Sequence, residues 1–276
     1  SMVRTPCAGS RVLRPMSCIR SKRLTCSPAR ATDVRRFYDP EDRIGYGVGS
    51  ITLYEDDLRR MQSESPTQGP TAWTYGEVAP DSVEQLGKAF GFPGTRAENA
   101  VFYDLGSGFG RLTLQAFCDW GVRRAVGVEL SERRHSRAEA ALERFRASAS
   151  APRDLSGVSF VRANLLEVEL HTATDAYLAC TCWDEPFVRA ALAKLRSECG
   201  ALETVALTES LEAEYGIDPA EYGLQLERSL ALKMTCVCCV CVCACVRACC
   251  ARVYVYKRVT HRCPPVHAQN ESYVSL

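Results

Sequence analysis

Residues 101–111 read Val-Phe-Tyr-Asp-Leu-Gly-Ser-Gly-Phe-Gly-Arg, and Gly-Val-Glu follows at 127–129. An apolar run that enters a glycine turn and then a helix start lets main chain approach a ligand more closely than side chains would allow. The glycine spacing separates two chemistries. A dinucleotide pyrophosphate calls for Gly-x-Gly-x-x-Gly with the phosphates on the helix dipole, whereas here the glycines stand at 106, 108 and 110 and Arg111 follows. Asp104, just ahead of the turn, would repel a pyrophosphate. The order Asp-x-Gly-x-Gly-x-Gly suits S-adenosylmethionine instead, whose amino-acid end carries an ammonium and whose reactive centre is a sulfonium. Glu129, at the end of the next apolar run, is an acceptor-only carboxylate able to take both ribose hydroxyls. The cofactor contacts expected here are Asp104, Gly106, Ser107, Gly108, Gly110, Arg111, Glu129 and Leu130. The alternative is a plain turn with a surface acid, against which the order strand, loop, helix, strand, acid speaks.

Positioning these residues takes alternating strands and helices. Buried-strand runs are expected at 100–105, 125–130, 158–162, 176–181, 205–208, 230–235 and 253–258. Helical periodicity marks 81–90, 112–120, 131–147 and 186–197, with Asp81 and Ser131 as expected N-caps. Such alternation predicts an α/β doubly wound fold: about seven strands, mostly parallel, with helices on both faces and ligands at the strand C-termini. A short helix at 53–61 lies in an otherwise turn-rich stretch. The expected organisation is a basic flexible leader (1–38), an N-terminal extension (39–99), a main domain (100–260) and a tail (261–276).

Composition excludes several classes. With 46% hydrophobic and 24% charged residues the chain is of ordinary globular character, and no apolar run reaches the ~18 residues of a membrane-spanning helix. Sixteen cysteines suggest a disulfide scaffold, but eight of them crowd into Cys236–Cys250, alternating largely with valine, where a framework would spread them out. That tract, 236–251, reads as a low-complexity insertion between two strands. The competing metal cage lacks the paired spacing of zinc sites, and no metal is expected. A reducing compartment follows. The net charge of +1 hides an asymmetry: residues 1–36 hold nine Lys/Arg against Asp33, a net +8, leaving −7 for the remainder. The Arg- and Ser-rich leader serves as an organelle transit peptide, as an arm on nucleic acid, or as a solvated tail.

Tyr75-Gly76-Glu77, 29 residues before the Asp104-Leu105-Gly106-Ser107-Gly108 motif, together with Gly127-Val128-Glu129, resembles the Dot-one-like (disruptor of telomeric silencing) histone-lysine methyltransferases. These use the Rossmann-like class I methyltransferase fold rather than a SET domain. The similarity spans about residues 73–210, half of the chain. It implies that Tyr75 and Glu77 belong to a loop closing over the cofactor; the plainer reading is a helix-entry turn. Two segments depart from the family pattern. Ala163-Asn164-Leu165 stands where the family has Gly-Asp-Phe, so Asn164 would bond the adenine amino group and Leu165 would give apolar contact. Cys180-Thr181-Cys182-Trp183 stands where the family has Asn-Asn-Phe, at the expected entry of the methyl acceptor. Thr181, Cys182, Trp183 and Tyr75 are accordingly the candidate catalytic residues, with Trp183 either walling a lysine channel or packing beneath the next helix.

Methyl transfer from a sulfonium is an in-line displacement that needs positioning more than an acid–base dyad, and no general base is assigned. His135, His171, His261 and His267 lie outside the motifs. The resemblance implies a protein substrate, histone or nucleosome first, in the nucleus. Nucleic-acid contact would come through the leader, no membrane is involved, and a cleaved leader would move the protein to plastid or mitochondrion. Other acceptors, a non-histone protein or a small molecule, and a catalytically dead binding module are the competing readings.

Overall fold

The structure is a computed structural model that describes residues 33–38, 76–148, 154–181, 183–236 and 249–259. Tyr75, Cys182, most of the basic leader, the 53–61 segment and most of the Cys/Val tract lie outside the described residues. Eight strands form one sheet: β1 (Gly76–Val78), β2 (Val101–Leu105), β3 (Arg124–Glu129), β4 (Val158–Arg162), β5 (Asp175–Leu178), β6 (Thr204–Leu207), β7 (Leu224–Cys236) and β8 (Cys249–Arg258). Their spatial order is β1-β7-β8-β6-β5-β2-β3-β4. The five strands from β2 to β6 run parallel, while β8, β7 and β1 pair antiparallel at one side.

The seven expected strands are all present, and β1 is the addition. Glu77 and its neighbours, read as a loop or a helix-entry turn, form this edge strand, in register with Met234–Cys236 of β7. Three residues of mixed polarity carry too little alternation to announce a strand, so pairing with β7 decides the conformation. β7 is also far longer than the 230–235 segment predicted, because its outer positions are polar and exposed while β8 supplies its hydrogen bonds.

The strands β2, β5 and β6 are buried along their whole length, as a sheet covered on both faces requires. Alternate residues enter two cores. Phe102, Ala125, Val158, Tyr177, Ala206 and Val255 face one side, which is covered by helix α1 (Pro80–Phe90), helix α2 (Arg111–Gln115, continued as a π turn over Ala116–Trp120) and helix α3 (Glu132–Arg146). Tyr103, Leu105, Val126, Val128, Ala176 and Leu178 face the other, against Val188, Leu192 and Leu195 of helix α4 (Glu185–Glu198). A short helix α5 (Leu211–Tyr215) follows β6.

Helix starts follow local chemistry. Ser131 caps α3 as expected, accepting from the Arg134 N–H. The cap of α1 is Ala79 rather than Asp81: Pro80 takes the first helical position, where its missing N–H costs nothing, and Asp81 falls in the first turn and pairs with Lys233 at 2.7 Å. Residues 33–38, assigned above to the leader, pack on the core, with Val34, Phe37 and Tyr38 all buried and Phe37 stacked on Phe145 at 4.3 Å.

Around Trp120 the first core is a nest of rings. The indole lies 5.0 Å from Phe102, 5.7 Å from Phe90 and 5.8 Å from Phe92, and its Nε1 donates to the Val83 carbonyl at 3.0 Å. Gly87 lets α1 lie against it, since a Cβ there would stand 2.4 Å from Nε1. Trp120→Ala is expected to cost about 3–5 kcal/mol. Urea unfolding followed by far-UV circular dichroism measures the loss.

Candidate functional site

The chain runs β2, β3, β4 outward in one direction and then returns to lay β5 on the other side of β2. That reversal puts the C-terminal ends of β2 and β5 at the topological switch point, the place where open α/β sheets hold ligands. The glycine turn after β2 and the Cys180–Trp183 segment after β5 lie at this point.

The turn is tightly built. Gly106, Gly108 and Gly110 all take left-handed φ, at +86°, +56° and +74°, which side chains disfavour. A Cβ on Gly110 would also stand 2.3 Å from the Phe160 ring. The N–H groups of Gly106 and Ser107 both donate to the Val128 carbonyl, at 2.9 and 3.0 Å, and that of Gly110 to the Ser107 carbonyl at 2.8 Å. The Gly108 N–H donates to Glu129 Oε2 at 2.8 Å, and the Ser131 N–H to Glu129 Oε1 at 2.9 Å. Each Glu129 oxygen therefore takes one main-chain donor and keeps one lone pair for a ligand. The N–H groups of Gly106, Ser107, Gly108 and Gly110 are thus all committed to protein acceptors.

Asp104 sits beneath the turn, 2% exposed, accepting from Thr113 Oγ1 at 2.8 Å. Burial raises its pKa to about 7, with Glu129 and Glu77 adding repulsion and the Thr113 hydrogen bond opposing both. Arg111 and Glu77, both placed above among the cofactor contacts, form a buried ion pair with each other. The Arg111 guanidinium also lies 4.5 Å from the Tyr38 ring, and Tyr38 Oη donates to the Phe109 carbonyl at 2.7 Å. Two carboxylates, Asp104 and Glu129, thus stand at the turn itself. Ser107 Oγ is buried with no hydrogen-bond partner among the described residues.

The remaining expected residues divide. Leu130 is half-buried directly after β3. Asn164 turns its Oδ1 to the Leu166 N–H at 3.0 Å, and Leu165 is buried in the second core. Trp183 packs edge-on against Phe187 of α4 at 5.1 Å, and its Cζ2 comes within 3.3 Å of a Cβ built on Gly106. It thus packs on the next helix, one of the two placements foreseen for it, and also overlies the glycine turn. Thr181 Oγ1 donates to Thr208 Oγ1 at 3.0 Å. Thr208 and Glu209 at the tip of β6 and Tyr215 at the end of α5 were not singled out from sequence; for the first two, their place at the end of the expected 205–208 strand was the available signal.

No group of His, Cys, Asp or Glu among the described residues could hold a metal ion.

The strand order and the Asp104/Glu129 glycine turn define a Rossmann-like class I methyltransferase fold. The family described as "Histone methylation protein DOT1" matches residues 49–170, less than half of the chain. A protein-lysine N-methyltransferase of Saccharolobus islandicus (strain REY15A) is 35% identical over 78 residues, covering 28% of this chain and 44% of that protein. The match thus spans less than half of that relative's length. Among solved structures, an RNA methyltransferase from Salinibacter ruber in complex with S-adenosyl-L-homocysteine is 18% identical with a TM-score of 0.42, covering 65% of this chain and 90% of that one. A putative methyltransferase from Escherichia coli is 13% identical with a TM-score of 0.47, covering 65% and 86%.

The buried Asp104 makes stability pH-dependent. Its folded pKa of about 7 lies above the ordinary 3.8, so the native state holds the proton more tightly and stability falls as pH rises from about 4 to about 7. Asp104→Asn carries no such term. In urea titrations the variant should gain on the wild type across this window, and the gain should level off above about pH 7.

Proposed function

We propose that this chain is an S-adenosylmethionine-dependent methyltransferase acting on a protein lysine, with histone the first acceptor to test. The observation that carries the cofactor assignment is the fixed Glu129 carboxylate bonded to the Gly108 N–H beside left-handed glycines. A ligand there meets carboxylate lone pairs and negative charge, which suits ribose hydroxyls next to a cation and opposes phosphate. The unpartnered Ser107 Oγ fits such a ligand. When bound, S-adenosylmethionine supplies an electrophilic methyl on a positive sulfur. Asp104, Gly106, Gly108, Glu129 and Leu130 would hold it, with Asn164 at the adenine end; Arg111 and Glu77 support the turn from behind.

Support for a lysine acceptor comes from the matched family and the curated relative, and from what stands beside the turn. An ammonium has no lone pair, so a lysine must shed its proton before attack, and desolvation against an apolar wall lowers its pKa. Trp183 offers that wall and a π face tolerant of ammonium and methylammonium alike. Thr181 lies alongside as a hydroxyl neighbour. The chain's contribution to rate is then alignment of the amine with the methyl–sulfur axis.

Radiolabelled cofactor offered with nucleosomes, with core histones and with a whole-cell lysate tests the acceptor. Label in histone supports the full proposal, while label confined to a non-histone band leaves a methyltransferase with a different substrate. Glu129→Ala should weaken S-adenosylhomocysteine binding by roughly 10- to 100-fold in calorimetric titration, the size of hydrogen bonds to a charged acceptor. Undiminished affinity in a folded Glu129→Ala protein would remove the cofactor assignment.

A further inference from the structure

The tips of β5 and β6 meet on the side of Trp183 away from β3, and their polar groups are closely engaged with one another. Thr181 donates to Thr208, Thr208 donates to Cys180 Sγ at 3.6 Å, and Tyr215 Oη donates to the Cys180 carbonyl at 2.7 Å. These bonds clamp α5 across the end of β5 and fix Thr181 and Trp183 in place. Glu209, the residue after Thr208, differs in carrying a charge with no opposite charge beside it among the described residues. It is half-buried, has no ion-pair partner among the described residues, and has the Thr181 hydroxyl beside its carboxylate. The charged group that acts on it is another carboxylate, Glu214, and burial and Glu214 together raise its pKa.

A half-buried carboxylate with no cation is costly to keep unless something pairs with it. The residue follows Thr208 at the tip of β6, beside the end of β5 that leads through Thr181 to Trp183, whose indole overlies Gly106 of the turn. An acceptor that reached the turn by way of Thr181 would pass Glu209. Resting on the methyltransferase assignment above, we propose that Glu209 selects a cationic amine acceptor, its carboxylate receiving the lysine ammonium at the tip of β6 and directing it past Thr181 toward Trp183. The role is recruitment of the charged form, and no proton transfer is assigned to Glu209. A neutral or anionic acceptor would gain nothing from the carboxylate or would be repelled by it.

Poly-L-lysine and labelled S-adenosylmethionine serve as probes with the full chain as wild type, Glu209→Gln and Glu209→Asp. Glu209→Gln should raise KM for the polymer about tenfold with most of kcat retained, the scale of one hydrogen bond to a charged group. Glu209→Asp should recover part of that loss. Added salt should raise the wild-type KM more steeply than that of Glu209→Gln, since screening weakens only the charged pair. S-adenosylhomocysteine affinity by calorimetry should be equal in all three. An unchanged KM in Glu209→Gln overturns the proposal, and so does a parallel loss of S-adenosylhomocysteine affinity, which would mark Glu209 as part of the cofactor site or the fold. Should Glu209→Gln not fold, a wild-type KM in Glu209→Asp that is insensitive to salt overturns it as well. A wild type that binds S-adenosylhomocysteine but leaves poly-L-lysine unlabelled overturns the lysine assignment and this inference together. A wild type that does not bind S-adenosylhomocysteine overturns the methyltransferase assignment itself.

Discussion

The pair of main-chain hydrogen bonds to Glu129, from Gly108 and Ser131, ties three parts of the molecule to one carboxylate: the glycine turn after β2, the end of β3 and the start of α3. Each constrains the others. The turn must bring Gly108 within reach of β3, which requires left-handed backbone at positions 106, 108 and 110. The start of α3 must bring Ser131 back to the same side chain, and Ser131 in turn caps that helix. A carboxylate held from two sides keeps its remaining lone pairs at fixed angles, the preorganisation a ligand site needs. Burial makes the same arrangement demanding, because a lost donor would leave a charged oxygen unsatisfied.

Charge around the turn follows from the same geometry. Glu77 reaches the site from β1, and Arg111 answers it from the first turn of α2, braced by Tyr38 and Phe109. Arg111 thus pairs with Glu77, while Asp104 and Glu129 lie nearer the turn itself. Residues 33–38 thereby join the site indirectly: Tyr38 holds the Phe109 carbonyl and stacks on Arg111, and Arg144 of α3 secures the Phe37 carbonyl at 2.9 Å. A segment that carries no catalytic group thus shapes the electrostatics of the ligand face.

Much of this was legible in the sequence because it depends on local rules. The parallel strands are largely apolar runs, and the glycine spacing of 106, 108 and 110 departs from the pyrophosphate pattern, so strand positions and ligand class both follow from short windows. What escaped depends on distant partners. β1 is a strand only because β7 runs beside it, and β7 is long only because β8 does. The ion pair between Glu77 and Arg111, 34 residues away, likewise shows only in the fold. Residues 33–38 look like leader by composition, yet Phe37 finds Phe145. Asp104 is the subtler case: its place before the turn is plain in sequence, but its burial, its bond to Thr113 and its raised pKa require the fold.

The raised pKa bears on why such an acid is tolerated. An ionised carboxylate beneath the turn, facing Glu129 and Glu77, is destabilising in the ligand-free protein, and protonation near neutral pH relieves it. A positive ligand reverses the balance, since its charge favours the ionised form and draws the acid's pKa down again. Binding would then release a proton, and affinity would rise as pH climbs through about 7 until Asp104 is ionised before the ligand arrives. The cost of ionising the buried acid would thus be turned into selectivity for positive charge. Thr113 keeps the side chain in a fixed position in either protonation state, because its hydroxyl donates to the carboxylate or, once rotated, accepts from the acid.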